Sequence, residues 1–538
     1  MNNFLIKDGK VIDGTGNPWF KADIRISGEK ITEIALEIKA QDNEEIIDAS
    51  GHVVAPGFID IHTHSDFTVL LSRCENVLSQ GVTTHVVGNC GFSLIPMNPE
   101  IKNDDAFETF LKMLGISDFD FKFVNLNDYL NELKRNGISI NIIPMIGHST
   151  LRMNVLRLKS RAPKENEMME MKRLLEREMS NGAFGMSTGL DYPPGSFAKT
   201  KEIIELCRVV NEYNGIYTTH FRGFASGLTK ATKEAIEIAE SGIPVEINHF
   251  KPFGFWRGSI KRAYKLVEKA RENNLDVTFD VFPHASNHTF LFALLPPWIY
   301  LSKKKLDIPK GIQLLKDSRT NQDLKQKIYD GIDVIVRSFL QIEELEDWKK
   351  VYINAPKSEQ FNGKTVYQNS IEKEMDPRQV LIEVLIEQDG NVGGTYKSIT
   401  KEENLITITH PLTMFASDGR VIPEENDTYF PNPYCNGTFT RVLGKNVREE
   451  KLLTLHDAIR RMTSYPAQRL GLKDRGMLRE GFWADITIFN PKTVIDKATY
   501  ENPRLLSEGV EHVFVNGISA VKKGIFTGAM AGMPIRKQ

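Results

Sequence analysis

The chain has 538 residues, of which 41% are hydrophobic and 26% charged, and its formal net charge is −2. This length exceeds one ordinary domain and suits a large barrel with a second domain. A net charge near zero gives no electrostatic case for binding nucleic acid or an anionic membrane. The sequence predicts neither a secretory signal nor a membrane span. Four cysteines are too few for a disulfide scaffold, so we expect a reducing, cytoplasmic location.

Both ends of the chain are rich in short predicted strands. Residues 1–54 alternate apolar runs, such as 22–26, with turn signals, such as 13–16. Residues 475–538 show the same pattern, with apolar runs at 483–489 and 510–515. We predict one β-sandwich domain assembled from both segments, which the usual proximity of chain ends in a domain allows.

Residues 55–474 alternate apolar strands with amphipathic helices, the pattern of βα units. Eight strands are predicted, ending near His62, Val87, Pro144, Met186, Thr219, Asn248, Phe282 and Ala416. The stretch from the seventh to the eighth strand is too long for a loop, so we predict an inserted helical subdomain or lid at 296–405. The predicted fold class is therefore α/β: a TIM-like (β/α)8 barrel with a terminal β-sandwich and an insertion before the last strand.

The first barrel strand ends in two histidines, His62 and His64. Residues i and i+2 of a strand point to one face, so both imidazoles can aim at one point. In a barrel of parallel strands, the carboxyl ends of the strands carry the active site. Neutral imidazole is the commonest protein ligand of transition metals. The pair by itself leaves a chance placement open.

Four further side chains that can bind a metal follow other predicted strands. Cys90 follows the second strand, His220 the fifth, His249 the sixth and Asp418 the eighth. All of them fall at the same rim of the predicted barrel. Their coincidence with the histidine pair predicts a metal centre there.

This ordered set resembles the amidohydrolase superfamily, whose members carry histidines after strands 1, 5 and 6 and an aspartate after strand 8. Many members also carry a carboxylated lysine after strand 4, and this chain has no lysine in that segment. A cysteine at position 90 instead resembles the N-acyl-D-amino-acid deacylase (D-aminoacylase) branch. Matching motifs are Gly88-Asn89-Cys90-Gly91, Tyr192-Pro193-Pro194-Gly195, Thr219-His220-Phe221-Arg222, His249-Phe250-Lys251, Ser417-Asp418-Gly419, and the runs 437–444 and 476–485.

The resemblance implies zinc-dependent hydrolysis of N-acyl-D-amino acids, and the preference for the D form rests on it entirely. Cys90, His220 and His249 would hold one zinc ion and leave a position open for water. The remaining histidines, with Cys90 or Asp418, would hold a second and weaker divalent metal. Asp418 would be the general base, although an Asp-Gly pair is also a common turn.

The implied substrate is a small N-acylated amino acid, whose carboxylate needs fixed donors. We predict Tyr192, Arg222 and Lys251 for that role, with solvated rim charges or a packed aromatic as the alternative. Ser286 and His288 after the seventh strand, and His148 after the third, are further predicted substrate contacts.

The sequence also departs from the branch in ways that bear on the substrate. The family's Tyr-Pro-Tyr after the seventh strand is Phe282-Pro283-His284 here, and Phe250 replaces the second histidine of a His-His-Lys motif. A more aromatic site predicts a bulky or apolar substituent; packing against the insertion is the alternative. The aromatic residues concerned are Phe224, Phe253, Phe255, Trp256, Phe290 and Phe292.

Two other functions stay open. A cyclic-amide hydrolase resembling hydantoinases or dihydroorotases is disfavoured by the missing lysine, and a deaminase fits the cysteine motif less well. A catalytically silent scaffold is disfavoured by the intact ligand set. We expect a monomer or small homo-oligomer that binds a small molecule and neither nucleic acid nor membrane.

Overall fold

The computed structural model describes residues 3–101, 123–223, 227–252, 258–302, 305–355, 357–423 and 432–538. Within these ranges, no helix combines the length and the apolar character needed to cross a bilayer. Three parts build the molecule: a barrel, a sheet domain made from both chain ends, and an insertion before the last barrel strand.

Eight parallel strands form the barrel, and each pairs with the next in chain order. They are Phe58–Asp60, Val82–Val87, Asn141–Pro144 with its continuation Ile146–Gly147, Gly185–Gly189, Ile216–His220, Val245–Ile247, Val277–Val281 and Thr413–Phe415. A parallel bridge from Thr63 to Gly419 joins the last strand to the first. The predicted barrel is confirmed, and its closure brings the segments after strands 1 and 8 side by side.

Helices cover the outside of the barrel with amphipathic faces. Leu228–Ala239, for example, buries Leu228, Ala231, Ala235 and Ile238, the spacing of one helical face. The helices of the barrel and of the segment that follows it are Glu75–Leu78, Leu126–Asn136, His148–Val155, Glu165–Ser180, Thr200–Glu212, Leu228–Ala239, Ser259–Glu272, Lys401–Thr409, Pro433–Arg441 with its π-helical continuation Val442–Glu449, Leu455–Met462 and Ser464–Leu470. Short 3₁₀ turns occur at Thr68–Leu70, Pro99–Ile101, Gly195–Phe197, Leu291–Leu294 and Leu345–Lys350.

Strands from both chain ends share one nine-stranded sheet, as predicted. The strands are Asn3–Val11, Phe20–Ser27, Lys30–Ala35, Glu45–Asp48, Val53–Pro56, Ile486–Phe489, Val510–Val515, Ile518–Lys522 and Ile525–Phe526. The two ends meet where Val53–Pro56 pairs antiparallel with Ile486–Phe489. A bridge between Lys30 and Trp483 folds the sheet back on itself around an apolar core. The domain boundaries at residues 54 and 475 stay predictions.

The insertion has its own apolar core and contains a sheet as well as the predicted helices. Its helices are Pro297–Tyr300, Ile308–Asp317, Gln322–Leu340, Val366–Glu372 and Pro377–Glu387, and a small hairpin joins Leu301–Ser302 to Lys305–Leu306. Three antiparallel strands, Asn287–Phe290, Gly393–Tyr396 and Val351–Asn354, form the sheet. This sheet begins directly after the seventh barrel strand, so it extends one wall of the barrel mouth. The limits at 296 and 405 stay predictions.

Candidate metal centre and active site

Closure of the barrel sets His62, His64 and Asp418 against one another. The Asp418 amide donates to the carbonyl of His62 at 3.0 Å, and the His64 amide donates to the carbonyl of Gly419 at 2.8 Å. These two backbone bonds bring the side chains together. The Asp418 Oδ1 atom lies 3.1 Å from His64 Nε2 and 3.4 Å from His62 Nε2.

Cys90 lies in a tight turn after the second strand. Its carbonyl presses against the fourth strand so closely that a Cβ on Gly189 would come within 2.2 Å of it. The next amide, that of Gly91, donates to Ser187 Oγ at 2.9 Å. This turn aims the thiol at three imidazoles: Sγ lies 3.4 Å from His62 Nε2, 3.7 Å from His220 Nδ1 and 3.7 Å from His249 Nε2.

Three of these residues adopt a backbone conformation that side chains rarely take. The φ angles are +51° at Cys90, +35° at His249 and +51° at Asp418. Positive φ is unfavourable for residues other than glycine, and such conformations concentrate at functional sites. The fold therefore imposes these three orientations through the surrounding contacts, at a cost to local stability.

The side chains form two groups that share Cys90. In each group the potential ligand atoms lie within 4.8 Å of one another. One group is Cys90, His220 and His249; the other is His62, His64, Cys90 and Asp418. Tetrahedral Zn–S and Zn–N bonds of ordinary length place sulfur and nitrogen about 3.6 Å apart. The sulfur–nitrogen distances of 3.4–3.7 Å fit that value, so the donor set suits zinc.

The environment of Cys90 favours the thiolate. Burial by itself would raise the pKa of the thiol, but the charge of His62 and hydrogen bonds with His220, His249 and His62 lower the pKa well below its ordinary value. A thiolate is the form that binds a metal. The cysteine is thus prepared electrostatically for the role its position indicates.

The neighbours of His62 and His64 raise the pKa values of both imidazoles. Burial alone would lower the pKa of His64, but hydrogen bonds with Asp418 and Cys90 raise it to about 9. Burial likewise opposes the charge of His62, and Asp280 and Cys90 raise its pKa well above the usual value. A metal bound at the second group would have to displace these protons, so its binding would weaken as the pH falls.

Asp280, on the seventh strand, is a functional candidate that the sequence analysis did not identify. Its Oδ2 atom lies 3.2 Å from His62 Nδ1, and its Oδ1 accepts the His249 amide at 2.7 Å. Asn248 Nδ2 also donates to it, at 2.9 Å. A carboxylate behind a metal-binding histidine fixes the tautomer and the orientation of the ring. The available signal was a lone acid in the buried apolar strand Val277–Val281.

Tyr192 and His288 both lie near the ligand cluster. The Tyr192 ring centroid is 4.7 Å from that of His220, and its hydroxyl is 3.4 Å from Thr289 Oγ1 on the insertion sheet. His288, on the same strand of that sheet, contacts Thr395 Oγ1 at 2.9 Å through Nδ1. Burial and the charge of Arg420 lower the pKa of His288 to about 4, although Asp418 opposes this. His288 is therefore neutral at physiological pH.

Lys251 and Ser286, which follow the sixth and seventh barrel strands, already have protein partners. The Lys251 ammonium is buried and donates to the carbonyl of His284 at 2.6 Å and to Asn404 Oδ1 at 2.9 Å. Both partners are neutral, and burial lowers the pKa of Lys251 well below its ordinary value. Ser286 Oγ contacts the hydroxyls of Tyr434 and Tyr500, each at 2.5 Å.

The structure gives His148 and Arg222 partners other than a substrate. His148 is fully buried, with Nε2 2.9 Å from Glu202, which also binds Arg152. Arg222 pairs with Glu234 and with two loop carbonyls. The substrate contact at His148 stays a prediction; its Nε2 atom belongs to a buried network with Glu202 and Arg152. The aromatic residues Phe224, Phe253, Phe255 and Trp256 lie outside the described residues, and Phe290 stacks on Phe292 at 5.1 Å.

Comparison with known proteins assigns the family. A profile described as "Amidohydrolase family" matches residues 45–305 and 408–521. The chain belongs to the amidohydrolase family. A D-aminoacylase of Alcaligenes xylosoxydans xylosoxydans is 32% identical to this amidohydrolase over 536 residues, covering 98% of this chain and 96% of the relative. The N-acyl-D-glutamate deacylase of the same organism is 32% identical over 520 residues, which cover 96% of this chain and 93% of the relative.

Solved structures agree with this assignment. The zinc and phosphonate-inhibitor complex of N-acyl-D-glutamate deacylase from Bordetella bronchiseptica aligns with a TM-score of 0.80 at 30% identity, over 99% of both chains. A D-aminoacylase aligns with a TM-score of 0.79 over the same share. A D-hydantoinase, at 13% identity and a TM-score of 0.56, shares the fold. The predictions of an amidohydrolase, of its D-aminoacylase branch and of a hydrolase are confirmed.

Proposed function

We propose that this amidohydrolase uses zinc to hydrolyse the amide bond of N-acyl-D-amino acids, releasing a carboxylate and a free D-amino acid. The observation that carries the proposal is the convergence of a thiolate-prone cysteine, four imidazoles and one carboxylate at the barrel mouth. Similarity over nearly the full length to enzymes named D-aminoacylase and N-acyl-D-glutamate deacylase supports this substrate class.

Cys90, His220 and His249 would hold the tighter zinc ion, and His62, His64 and Asp418 would join Cys90 around a second, weaker divalent metal. Zinc in such a three-ligand site polarises a carbonyl and lowers the pKa of a water molecule toward neutrality. The protein contributes the fixed orientation of the ligands. Asp280 contributes to this orientation through its contact with His62 Nδ1.

Asp418 is the proposed general base. Burial would raise its pKa, but the hydrogen bond with His64 and the charges of His62 and His249 lower it below the ordinary value. Asp418 is therefore ionised at neutral pH and can accept the proton of the attacking water. It would then return that proton to the nitrogen of the leaving amine, which departs as a neutral group.

The substrate carboxylate and amide need donors around the mouth. We propose Tyr192, Lys251, Ser286 and His288 for this binding set. The Lys251 side chain can carry a full positive charge, and its present acceptors are neutral oxygen atoms. An anionic group would stabilise the ammonium more than those acceptors do. Arg222 is omitted because Glu234 already neutralises it.

Amine release from matched N-acetyl-D- and N-acetyl-L-amino acids tests the proposal. The zinc-loaded protein should hydrolyse the D series and leave the L series intact, with Met, Phe, Leu, Glu and Asp as side chains. Asp418→Asn protein loaded with zinc in the same way is the control for contaminating hydrolase. Turnover of hydantoin or dihydroorotate with neither series cleaved would refute the proposal and assign the site to cyclic amides.

A further inference from the structure

Arg222 holds the loop that follows the fourth barrel strand. Its Nη1 atom donates to the carbonyl of Ser196 at 3.1 Å, and Nη2 donates to the carbonyl of Ala198 at 2.7 Å. Its Nε atom donates to Glu234 Oε2 at 3.1 Å. The guanidinium thus spans two carbonyls of one loop and a carboxylate on the helix Leu228–Ala239.

Other bonds tie the same loop to the same segment. The Gly223 amide donates to Asp191 Oδ1 at 2.8 Å, and the Leu190 amide donates to the carbonyl of His220 at 2.9 Å. Residues 190–198 are therefore fixed at both ends to residues 220–223. Because His220 belongs to the ligand cluster, any shift of the loop is a shift relative to that cluster.

The loop carries Tyr192, and the Arg222 contact is one hydrogen bond away from it. The Ser196 amide donates to the carbonyl of Tyr192 at 2.8 Å, while the Ser196 carbonyl accepts from Arg222. Only two rotatable bonds connect a tyrosine ring to its backbone, so a shift of the Tyr192 backbone also shifts the ring. The result is the ring placed 4.7 Å from His220 and 6.2 Å from Phe92.

Charge balance separates Arg222 from substrate binding. Glu234 neutralises the guanidinium, and Glu234 is itself oriented by Thr200 Oγ1, which donates to it at 3.0 Å. All three guanidinium nitrogens are engaged by these partners. Recruiting Arg222 to a substrate carboxylate would break bonds within the protein and place that carboxylate beside Glu234, which repels it.

We propose that Arg222 is a positioning residue: it fixes Tyr192 over His220 through the Ser196 and Ala198 carbonyls and does not contact the substrate. The inference rests on the proposed function for its kinetic readout, but the loop contact itself is testable without any substrate. The two experiments below therefore fail independently.

Hydrogen–deuterium exchange of the zinc-loaded full chain tests the loop contact. Arg222→Met keeps an unbranched apolar stem and removes every hydrogen-bond donor of the side chain. We expect peptides covering 190–199 to exchange at least several-fold faster, with the barrel strands unchanged. Arg208→Met is the matched control, because Arg208 also pairs with a glutamate but lies on the exposed face of Thr200–Glu212. Unchanged exchange of 190–199 in Arg222→Met would overturn the proposal.

Kinetics distinguish positioning from binding. We expect Arg222→Met to retain zinc and to lower kcat/KM about tenfold or more, equally for an N-acyl-D-amino acid and for its carboxamide analogue. Tyr192→Phe should then lower kcat/KM much less in the Arg222→Met background than in the native enzyme, because both changes disturb the same placement of Tyr192. A loss confined to the carboxylate substrate, or fully additive effects, would overturn the proposal in favour of direct contact.

Discussion

The two walls of the barrel mouth differ in how their polar groups are satisfied. On the ligand wall, six side chains point at one another, with the Cys90 sulfur 3.4–3.7 Å from three imidazoles. On the substrate wall, Lys251 and Ser286 bind protein oxygens instead. The donor atoms of the ligand wall are already grouped within the protein alone, whereas the proposed substrate wall would have to exchange protein partners for substrate. The proposed metal ligands are therefore held in position before anything binds, whereas the proposed substrate-binding side chains must change their hydrogen-bond partners when a substrate binds.

Removing the shared ligand should break the ligand wall most severely. Cys90→Ala deletes the thiolate common to both groups, so we expect loss of tightly bound zinc and a fall in kcat/KM of about 10³-fold or more. Zinc per chain by mass spectrometry and initial rates measure this. Cys207→Ala, a buried cysteine on Thr200–Glu212, is the control and should keep its zinc. Stoichiometric zinc in Cys90→Ala would remove it from the ligand set.

Neutralising the proposed base separates chemistry from metal binding on that wall. Asp418→Asn preserves the shape of the side chain but removes its basic oxygen, so kcat should fall about 10²- to 10⁴-fold. The tighter zinc should stay bound, since its three ligands are unchanged. A normal rate with zinc present would exclude Asp418 as the base.

Asp280→Asn tests how far metal binding depends on the contact between the Asp280 carboxylate and His62 Nδ1. The amide can still contact His62 Nδ1 but carries no charge, so zinc affinity should weaken about 10- to 100-fold. Competition with a metal-binding dye measures the affinity. Asp276→Asn, on the exposed end of the same strand region, is the control. An unchanged affinity would mean that the strand alone orients His62.

Lys251→Met sharpens the description of the substrate wall. Removing the ammonium should raise KM about tenfold while kcat changes little, because the lost interaction acts in both the bound and transition states. The measurement is a saturation curve with the best D substrate. If KM stayed the same and kcat fell instead, Lys251 would belong with the chemistry.

The smallest expected effect is on stability. Burial lowers the pKa of His85 to about 3, below its ordinary value of 6.5. The unfolded chain therefore binds more protons at this residue than the folded protein between pH 6.5 and 3. Stability should fall by up to about 1.4 kcal/mol per pH unit as the pH drops through that window. Denaturant unfolding at pH 7 and pH 5 should show a weaker pH dependence in His85→Gln; an equal dependence would contradict this.

The difference between the walls also explains what the sequence could predict. Strand ends of a parallel barrel fall at one rim, so counting strands was enough to bring His62, Cys90 and Asp418 together. Asp280 was missed because one acid in an apolar strand gives no spacing signal. The partners of Lys251 and Arg222 were missed for another reason. Asn404 lies 153 residues beyond Lys251 in the chain, and only the tertiary structure reveals that it accepts a hydrogen bond from Lys251 Nζ.

The insertion shows the same limit. Its helices follow from their apolar periodicity, but the sheet of Asn287–Phe290, Gly393–Tyr396 and Val351–Asn354 does not. The middle strand is Gly-Gly-Thr-Tyr, which has the composition of a turn. It becomes a strand because it lies between two partners. Local composition therefore predicted the framework of the site but not this sheet, whose strand Asn287–Phe290 carries His288.

The contact between Ser286 and Tyr500 joins the C-terminal segment to a residue of the proposed binding set. Tyr500 lies after the first C-terminal strand of the end domain, and its ring packs 5.0 Å from Tyr352 of the insertion. The neighbouring Glu501 accepts a hydrogen bond from Tyr352 at 3.1 Å. One short stretch of chain thus ties the insertion to the substrate wall. Removing the C-terminal segment would therefore delete the Tyr500 and Glu501 contacts that join Ser286 to the insertion, so the terminal domain supports the region around the barrel mouth.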